Sequence, residues 1–261
     1  MLSNSSVAID VVGCGSYYLD SMHRFLIDEI LGNDAVLTDA GQLHHIRDVL
    51  RLKVNDEVIL FDNKGHEYQA VITGIDKRQV KFKVGQTNTV PAGNTGLTIA
   101  CAIPKGSRMD DIIDDLTQLG VERIIPMQTE RVVVKLDGVK SETKLKRWEK
   151  IAQSAARQCQ RNSIPVIEPV TDFSVVVSNS QQFALKLIPH LVGERQSLKE
   201  VFHIIQPKSV IVLIGPEGDF TSAEVDLALH NGFIPVSLGD TTLRVATAAV
   251  AVASYIKLTL I

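Results

Sequence analysis

The chain lacks most of the features that assign a protein at a glance. Its 261 residues hold three cysteines, Cys14, Cys101 and Cys159, and one tryptophan. An odd, scattered set of thiols builds neither a disulfide framework nor a paired zinc motif, and it fits a reducing cytoplasm. Four histidines in the first 66 residues (His23, His44, His45, His66) have no metal-ligand spacing, so no metal is expected. No clean apolar run reaches about 20 residues. The longest, near the C-terminus, is interrupted around Thr247, Ser254 and Lys257, and no membrane span is expected. Positive charge is not in excess either: the net charge of -3 argues against a globally basic nucleic-acid binder. With 45% hydrophobic and 22% charged residues, the composition excludes a disordered chain, a collagen and a coiled coil.

The N-terminus also lacks what it first suggests. Gly13 and Gly15 follow two valines, as in a dinucleotide fingerprint, but Tyr18 stands where the third glycine belongs and no acidic residue closes a βαβ unit. A signal peptide is disfavoured because no Lys or Arg lies near the start and Asp10 interrupts the segment. Met22 reads as a more natural beginning, with residues 1–21 as an extension.

From there the chain divides. Arg24–Ile27, Val58–Phe61, Tyr68–Ile72 and Val80–Val84 read as strands split by turn signals at Asn63–Gly65 and Asp76–Lys77. Leu43, Ile46, Val49 and Leu50 lie at helical spacing, which predicts a helix over Gln42–Leu50. Strands at this spacing suggest a small barrel or sandwich. Thr89–Gly96, with Pro91, Gly93 and Gly96 among small residues, is the expected linker. Beyond it strands and helices alternate: strands at Leu97–Ile103 and Arg123–Met127, apolar runs at Phe183–Ile188, Val210–Ile214 and Ile234–Leu238. The helices are expected at Arg108–Leu119, Ser141–Arg161, Leu198–Ile205, Ala223–Asn231 and Val245–Leu260. Alternation of this kind predicts an α/β fold with a parallel sheet covered on both faces. The final helix is apolar on nearly every side, so it is buried either in the fold or in a dimer interface.

Ligands of open parallel sheets bind at the carboxyl ends of the strands. Three loops leave strand ends here: Leu187–His190, Leu213–Phe220 and Leu238–Arg244. In the second, Gly215 and Gly218 have no Cβ to keep a ligand from the backbone. Thr221 or Ser222 is placed to cap the next helix, with Glu224 near the capping-box position. The same loop also reads as a tight strand-to-helix turn that binds nothing. The third loop ends in Arg244 at the start of the apolar final helix, where a cation opposes the helix dipole. That placement favours a binding role over a solvated cap.

Five segments in order carry a family resemblance: His45 to Arg51 (HIRDVLR); Pro104 to Asp110 (PKGSRMD); Leu119-Gly120-Val121 with Glu130, Arg131 and Lys135; Gln158, Arg161 and Pro165; and Ile214 to Gly218 (IGPEG) with Leu238-Gly239 and Leu243-Arg244. From about Met22 to Ile261 the chain resembles the RsmE family of SPOUT (α/β-knot) RNA methyltransferases. The resemblance implies a PUA-like β-barrel over 22–90 and a trefoil-knotted SPOUT methyltransferase domain over 95–261. It implies a cytoplasmic homodimer that uses S-adenosylmethionine (SAM) to methylate N3 of a uridine in 16S ribosomal RNA of the 30S subunit. Ile214, Gly215, Gly218, Leu238, Gly239 and Leu243 would cradle adenine and ribose, with Ile188 and Pro189 as the other wall. Glu217, Arg244 and Thr247 complete the implied cofactor set.

N3 of uracil is weakly acidic, so a group that stabilises a developing uracil anion helps methyl transfer. Arg244 suits that role because it stays charged, and for the same reason it is a poor base. Glu217 and Asp219 are candidate proton acceptors. For RNA contact the expected residues are Arg24, His45, Arg47 and Arg51 of the small domain, Lys105 and Arg108 of a strand-to-helix loop, and Arg131, Lys135 and Arg161. The last three lie in a segment, Arg123 to Arg161, with ten Lys/Arg against four Asp/Glu, a local +6; such a run also occurs as an ordinary solvated helix face. The chain departs from the family at Ala246, where a Glu is usual, and at Asp115, Gln118 and Arg157. Those departures motivate a second reading, a non-catalytic RNA-binding or ribosome-assembly protein that kept the fold.

Overall fold

The computed structural model describes residues 22–89, 96–106, 108–132, 138–191 and 193–260. Cys14, Lys135 and most of the expected linker lie outside the described residues.

The N-terminal module comprises β1 (Arg24–Leu26), β2 (Ile30–Leu31), β3 (Asp34–Leu37), α1 (Ala40–His44), β4 (Glu57–Phe61), β5 (His66–Ile75) and β6 (Val80–Thr89). Its six strands run in the order β1-β4-β5-β6-β3-β2. Along β6 the alternation is strict: Val80, Phe82 and Val84 are buried while Lys81 and Lys83 are not, so one face of the sheet closes on Phe25, Ile46, Leu60 and Ile72. Two register shifts between β5 and β6 bend the sheet around this core. This is the expected PUA-like module. The helix predicted over Gln42–Leu50 differs in detail. Asp39 caps α1 by accepting from Gln42 N at 2.9 Å. The chain then widens into a π-helical turn over His45–Val49, in which Leu50 N donates to His45 O at 2.9 Å. Apolar spacing of three and four residues does not distinguish the two windings.

The second module comprises β7 (Gly96–Ala102), α2 (Arg108–Gln118), β8 (Arg123–Gln128), α3 (Gly138–Gln158), β9 (Val166–Ile167), β10 (Thr171–Asp172), α4 (Phe173–Ser178), β11 (Leu185–Pro189), β12 (Gln196–Ser197), α5 (Leu198–Ile204), β13 (Ser209–Ile214), α6 (Ser222–His230), β14 (Ile234–Ser237) and α7 (Val245–Thr259). The strands pair parallel in the order β10-β8-β7-β13-β11-β14-β12, with β9 also on β8. Residues 97–102 are all buried, as a strand covered on both faces requires. One face packs under α2, α3, α5 and α7, the other under α4 and α6. On α3, Trp148, Ala152 and Ala155 form the buried stripe that the spacing predicts, with Leu145, Ile151 and Cys159 at its edges.

One pair of registers shows how the chain is threaded. Pro189 of β11 and Gln196 of β12 both lie opposite Val236 of β14, on its two sides. The chain between them therefore arches across β14. After β14 the chain must still return past β11 and β13, because α7 packs on β7 and α2. This is the arrangement of the trefoil-knotted SPOUT domain. Strand order is not written in local periodicity, so the knot was legible only through the family resemblance.

The two modules meet through polar side chains. Arg24 pairs with Glu67 at 3.0 Å and also donates to Asn162, which itself donates to Glu67 at 3.2 Å. Asn63 of the β4–β5 turn accepts from the backbone of Ile164.

Candidate functional site

The three strand-end loops converge on one cleft. Its apolar wall is made by Pro189, Ile214, Val236, Leu238, Leu243 and Val245. Its ionisable members are His190, Arg195, Glu217 and Asp219.

Each loop is held in shape by its own backbone chemistry. In the loop after β13, Asp219 adopts a left-handed φ of 60° and its N–H closes on Pro216 O at 3.0 Å. Its carboxylate accepts from Leu191 N at 2.9 Å and from Phe220 N at 2.9 Å, which joins this loop to the arch over β14. After β14, Gly239 takes a φ of 120°, a conformation that side chains strain. Thr221 caps α6 in the expected capping box: its hydroxyl accepts from Glu224 N at 3.3 Å, and Glu224 accepts in return from Thr221 N at 2.9 Å. The other oxygen of Glu224 accepts from Glu130 N at 2.9 Å.

The glycines also have a packing role. A Cβ on Gly215 would stand 3.0 Å from the Phe220 ring, and one on Gly218 would stand 3.4 Å from Cδ of Arg131. Their missing side chains make room for the protein's own groups, and Gly215 also lines the cleft.

Electrostatics differ across the cleft. Burial, reinforced by Arg195, holds His190 below the ordinary imidazole value, while Asp219 opposes the shift. Beneath the floor, burial and then the charge of Glu217 push the Cys101 thiol up to about 12. Glu217 itself is exposed and accepts a long 3.4 Å contact from Lys105 N.

Residues 92–257 match the RNA methyltransferase domain, and residues 37–85 match the RNA methyltransferase PUA domain. The chain belongs to the RNA methyltransferase family. It is 33% identical to ribosomal RNA small subunit methyltransferase E of Bacillus subtilis, over 79% of this chain and 83% of that protein. The corresponding Synechocystis protein is also 33% identical, over 85% and 72%. Among solved structures, ribosomal RNA small subunit methyltransferase E of Neisseria gonorrhoeae, bound to S-adenosyl methionine, superimposes with a TM-score of 0.81 at 28% identity, over 91% of this chain and 97% of that one. A Legionella pneumophila methyltransferase in complex with bound SAM gives 0.83 at 30% identity, over 91% and 97%.

In this RNA methyltransferase, Pro189, Ile214, Gly215, Glu217, Leu238, Gly239 and Leu243 of the expected cofactor set line the cleft. Four others stand outside its lining. Ile188 is fully buried in the core on the α4 and α6 side, and Gly218 sits against Arg131. Arg244 is the exposed N-cap residue of α7, and Thr247 is exposed on its first turn. His190, Arg195, Thr241 and Thr242 line the cleft without having been singled out. Arg195 in particular reaches it through the arch across β14, for which no local pattern exists.

The expected RNA contacts separate into two groups. Arg24 is buried in the seam between the modules, beneath Glu67 and over the Phe61 ring at 5.9 Å. Arg161 donates to Thr117 O at 2.8 Å, Val121 O at 2.9 Å and Ser163 Oγ at 3.1 Å. Arg131 donates to Gly218 O at 2.6 Å. These three guanidiniums brace the fold, Arg24 and Arg161 from partly buried positions and Arg131 from an exposed one. Arg51, Lys105 and Arg108 are exposed. Arg47 is exposed but doubly bonded to Asp48 at 3.0 and 2.9 Å, and His45 is half-buried beside Arg157. Among the described residues no cluster of three or more metal-ligating side chains occurs, and no helix is long and apolar enough to cross a membrane.

Proposed function

We propose that the protein methylates N3 of a uridine in 16S ribosomal RNA of the 30S subunit, using SAM held in the cleft, and that it works as a cytoplasmic homodimer. The observation that carries this reading is the cleft itself: three loops at the carboxyl ends of parallel strands, drawn together by the arch across β14, inside an RNA methyltransferase domain. The residues present fit the cofactor. The apolar wall suits a purine ring, and the carboxylates of Glu217 and Asp219 suit a cationic sulfonium. Bound there, SAM supplies an electrophilic methyl group.

The chain's own residues do the rest. Arg244 stands at the start of α7, directly after the cleft residue Leu243, with a permanent charge to stabilise the uracil anion as N3 loses its proton. Asp219 is engaged by two backbone N–H groups, so Glu217 is the freer carboxylate to accept that proton. The RNA strand runs over His45, Arg47, Arg51, Lys105 and Arg108, joined by the exposed Lys146 and Lys150 of α3. The dimer uses the outer face of α7, where Ala251 and Leu258 are exposed. Titration calorimetry tests the first step. Binding of SAM in the micromolar range supports the reading, and no heat at millimolar SAM contradicts it.

A further inference from the structure

Among the described residues the cleft lining contains one permanent cation, Arg195, and its position has a chemical consequence. Arg195 lies at the end of the arch across β14, immediately before β12, and it lines the cleft together with Glu217 and Asp219. The arch is fixed at two points. Leu191 N donates to Asp219, and Arg195 Nη1 donates to the carbonyl of His190 at 3.0 Å. The second bond uses one of five guanidinium donors, so the fork is oriented while most of its N–H groups stay available. The half-buried His190 on the same arch is biased towards its neutral form by burial. A cation and two carboxylates thus share the lining of one cleft.

Resting on the reading of this cleft as the SAM site, we infer that Arg195 is the binding group for the α-carboxylate of the cofactor's methionine tail. The tail is a zwitterion: a carboxylate needs a cationic donor, and an ammonium needs an acidic acceptor. A planar guanidinium suits a carboxylate because its parallel donors match the two oxygens. Asp219 is then the carboxylate left to the ammonium, while Glu217 keeps its place as proton acceptor. Arg195 thereby makes the cleft selective for the intact amino acid tail over a ligand that lacks only the carboxylate.

The test compares SAM with decarboxylated SAM, which keeps the sulfonium and the amine. Calorimetry is run on the full chain, on Arg195→Gln and on Arg195→Lys, with thermal melts to show that each variant folds. The wild type is expected to prefer SAM about tenfold, as one charge-assisted hydrogen-bonded pair warrants. Arg195→Gln is expected to bind both ligands alike, through loss of SAM affinity alone, and Arg195→Lys to retain part of the preference. If Arg195→Gln weakens both ligands by the same factor, the guanidinium only staples the arch and the inference is overturned. It is equally overturned if the variant keeps the wild-type preference. A wild type that binds neither ligand contradicts the SAM reading of the cleft itself and removes the inference with it.

Discussion

Arg131 donates from Nη1 to the carbonyl of Gly218 at 2.6 Å, and its Cδ occupies the space that a side chain on Gly218 would need. A residue expected to touch RNA also braces a loop of the cleft. Arg131→Ala is therefore expected to cost about 1 kcal/mol of stability, the scale of one such hydrogen bond. It is also expected to weaken SAM binding several-fold, while the salt dependence of RNA binding stays as in the wild type. Urea titration, calorimetry and anisotropy at several salt concentrations measure these. A shallower salt slope in the variant would return Arg131 to the RNA surface.

Glu224 caps α6 and holds Glu130 N as well, although it is nearly buried. Glu224→Ala removes both bonds and strands a donor, so a loss of about 2 kcal/mol is expected in the urea midpoint. Glu224→Gln keeps an acceptor oxygen and is expected to lose less. Equal losses would show that charge, not hydrogen bonding, matters at this position.

Arg161 satisfies the carbonyls of Thr117 and Val121 where α2 ends, and burial lowers its proton affinity. Arg161→Ala is expected to destabilise the fold by about 2 kcal/mol, since two carbonyls lose their partner. In anisotropy at a temperature where the variant is folded, RNA affinity is expected to stay within a factor of two. A tenfold loss there would mean that the guanidinium reaches RNA. The contrasting pair is Lys146 and Lys150: reversing both to Glu is expected to lower RNA affinity at least tenfold and flatten its salt dependence, with SAM binding unchanged.

His190 gives the cleft a pH dependence. Its folded-state value lies below the ordinary imidazole value, chiefly through burial. As pH falls below about 6.5 the unfolded chain takes up this proton before the folded one, so the folded state loses stability in that window. Protonation also adds positive charge to a cleft that holds a sulfonium. SAM affinity is therefore expected to fall between pH 7 and 5.5, and the fall is expected to be reduced in His190→Gln. Calorimetry across that range decides, and an unchanged profile in the variant would assign the effect to another group.

Much of the architecture was legible before any coordinates. Buried runs such as residues 97–102 and the stripe of Trp148, Ala152 and Ala155 follow from period and polarity, and Thr221 with Glu224 is a capping box readable by spacing alone. The short α4, about one and a half turns over Phe173–Ser178, was missed because so few residues hold no full period. The bracing bonds of Arg24, Arg131 and Arg161 were not legible for a different reason. A guanidinium has the same charge whether it meets phosphate or a backbone carbonyl, and its partners Glu67, Gly218 and Thr117 lie from 43 to 87 residues away. Arg195 enters the cleft through a crossing of β14, a relation between strands that no local pattern contains.

The central claim concerns one bond, a methyl group on N3 of a uridine. The direct measurement is mass analysis of nucleosides from 16S ribosomal RNA, comparing a strain that lacks this protein with strains restored by the wild type or by Arg244→Ala. The account predicts that 3-methyluridine is absent in the deletion strain, returns with the wild type and stays at least a hundredfold slower to form with Arg244→Ala, as loss of one transition-state donor implies. Full 3-methyluridine in the deletion strain would contradict it.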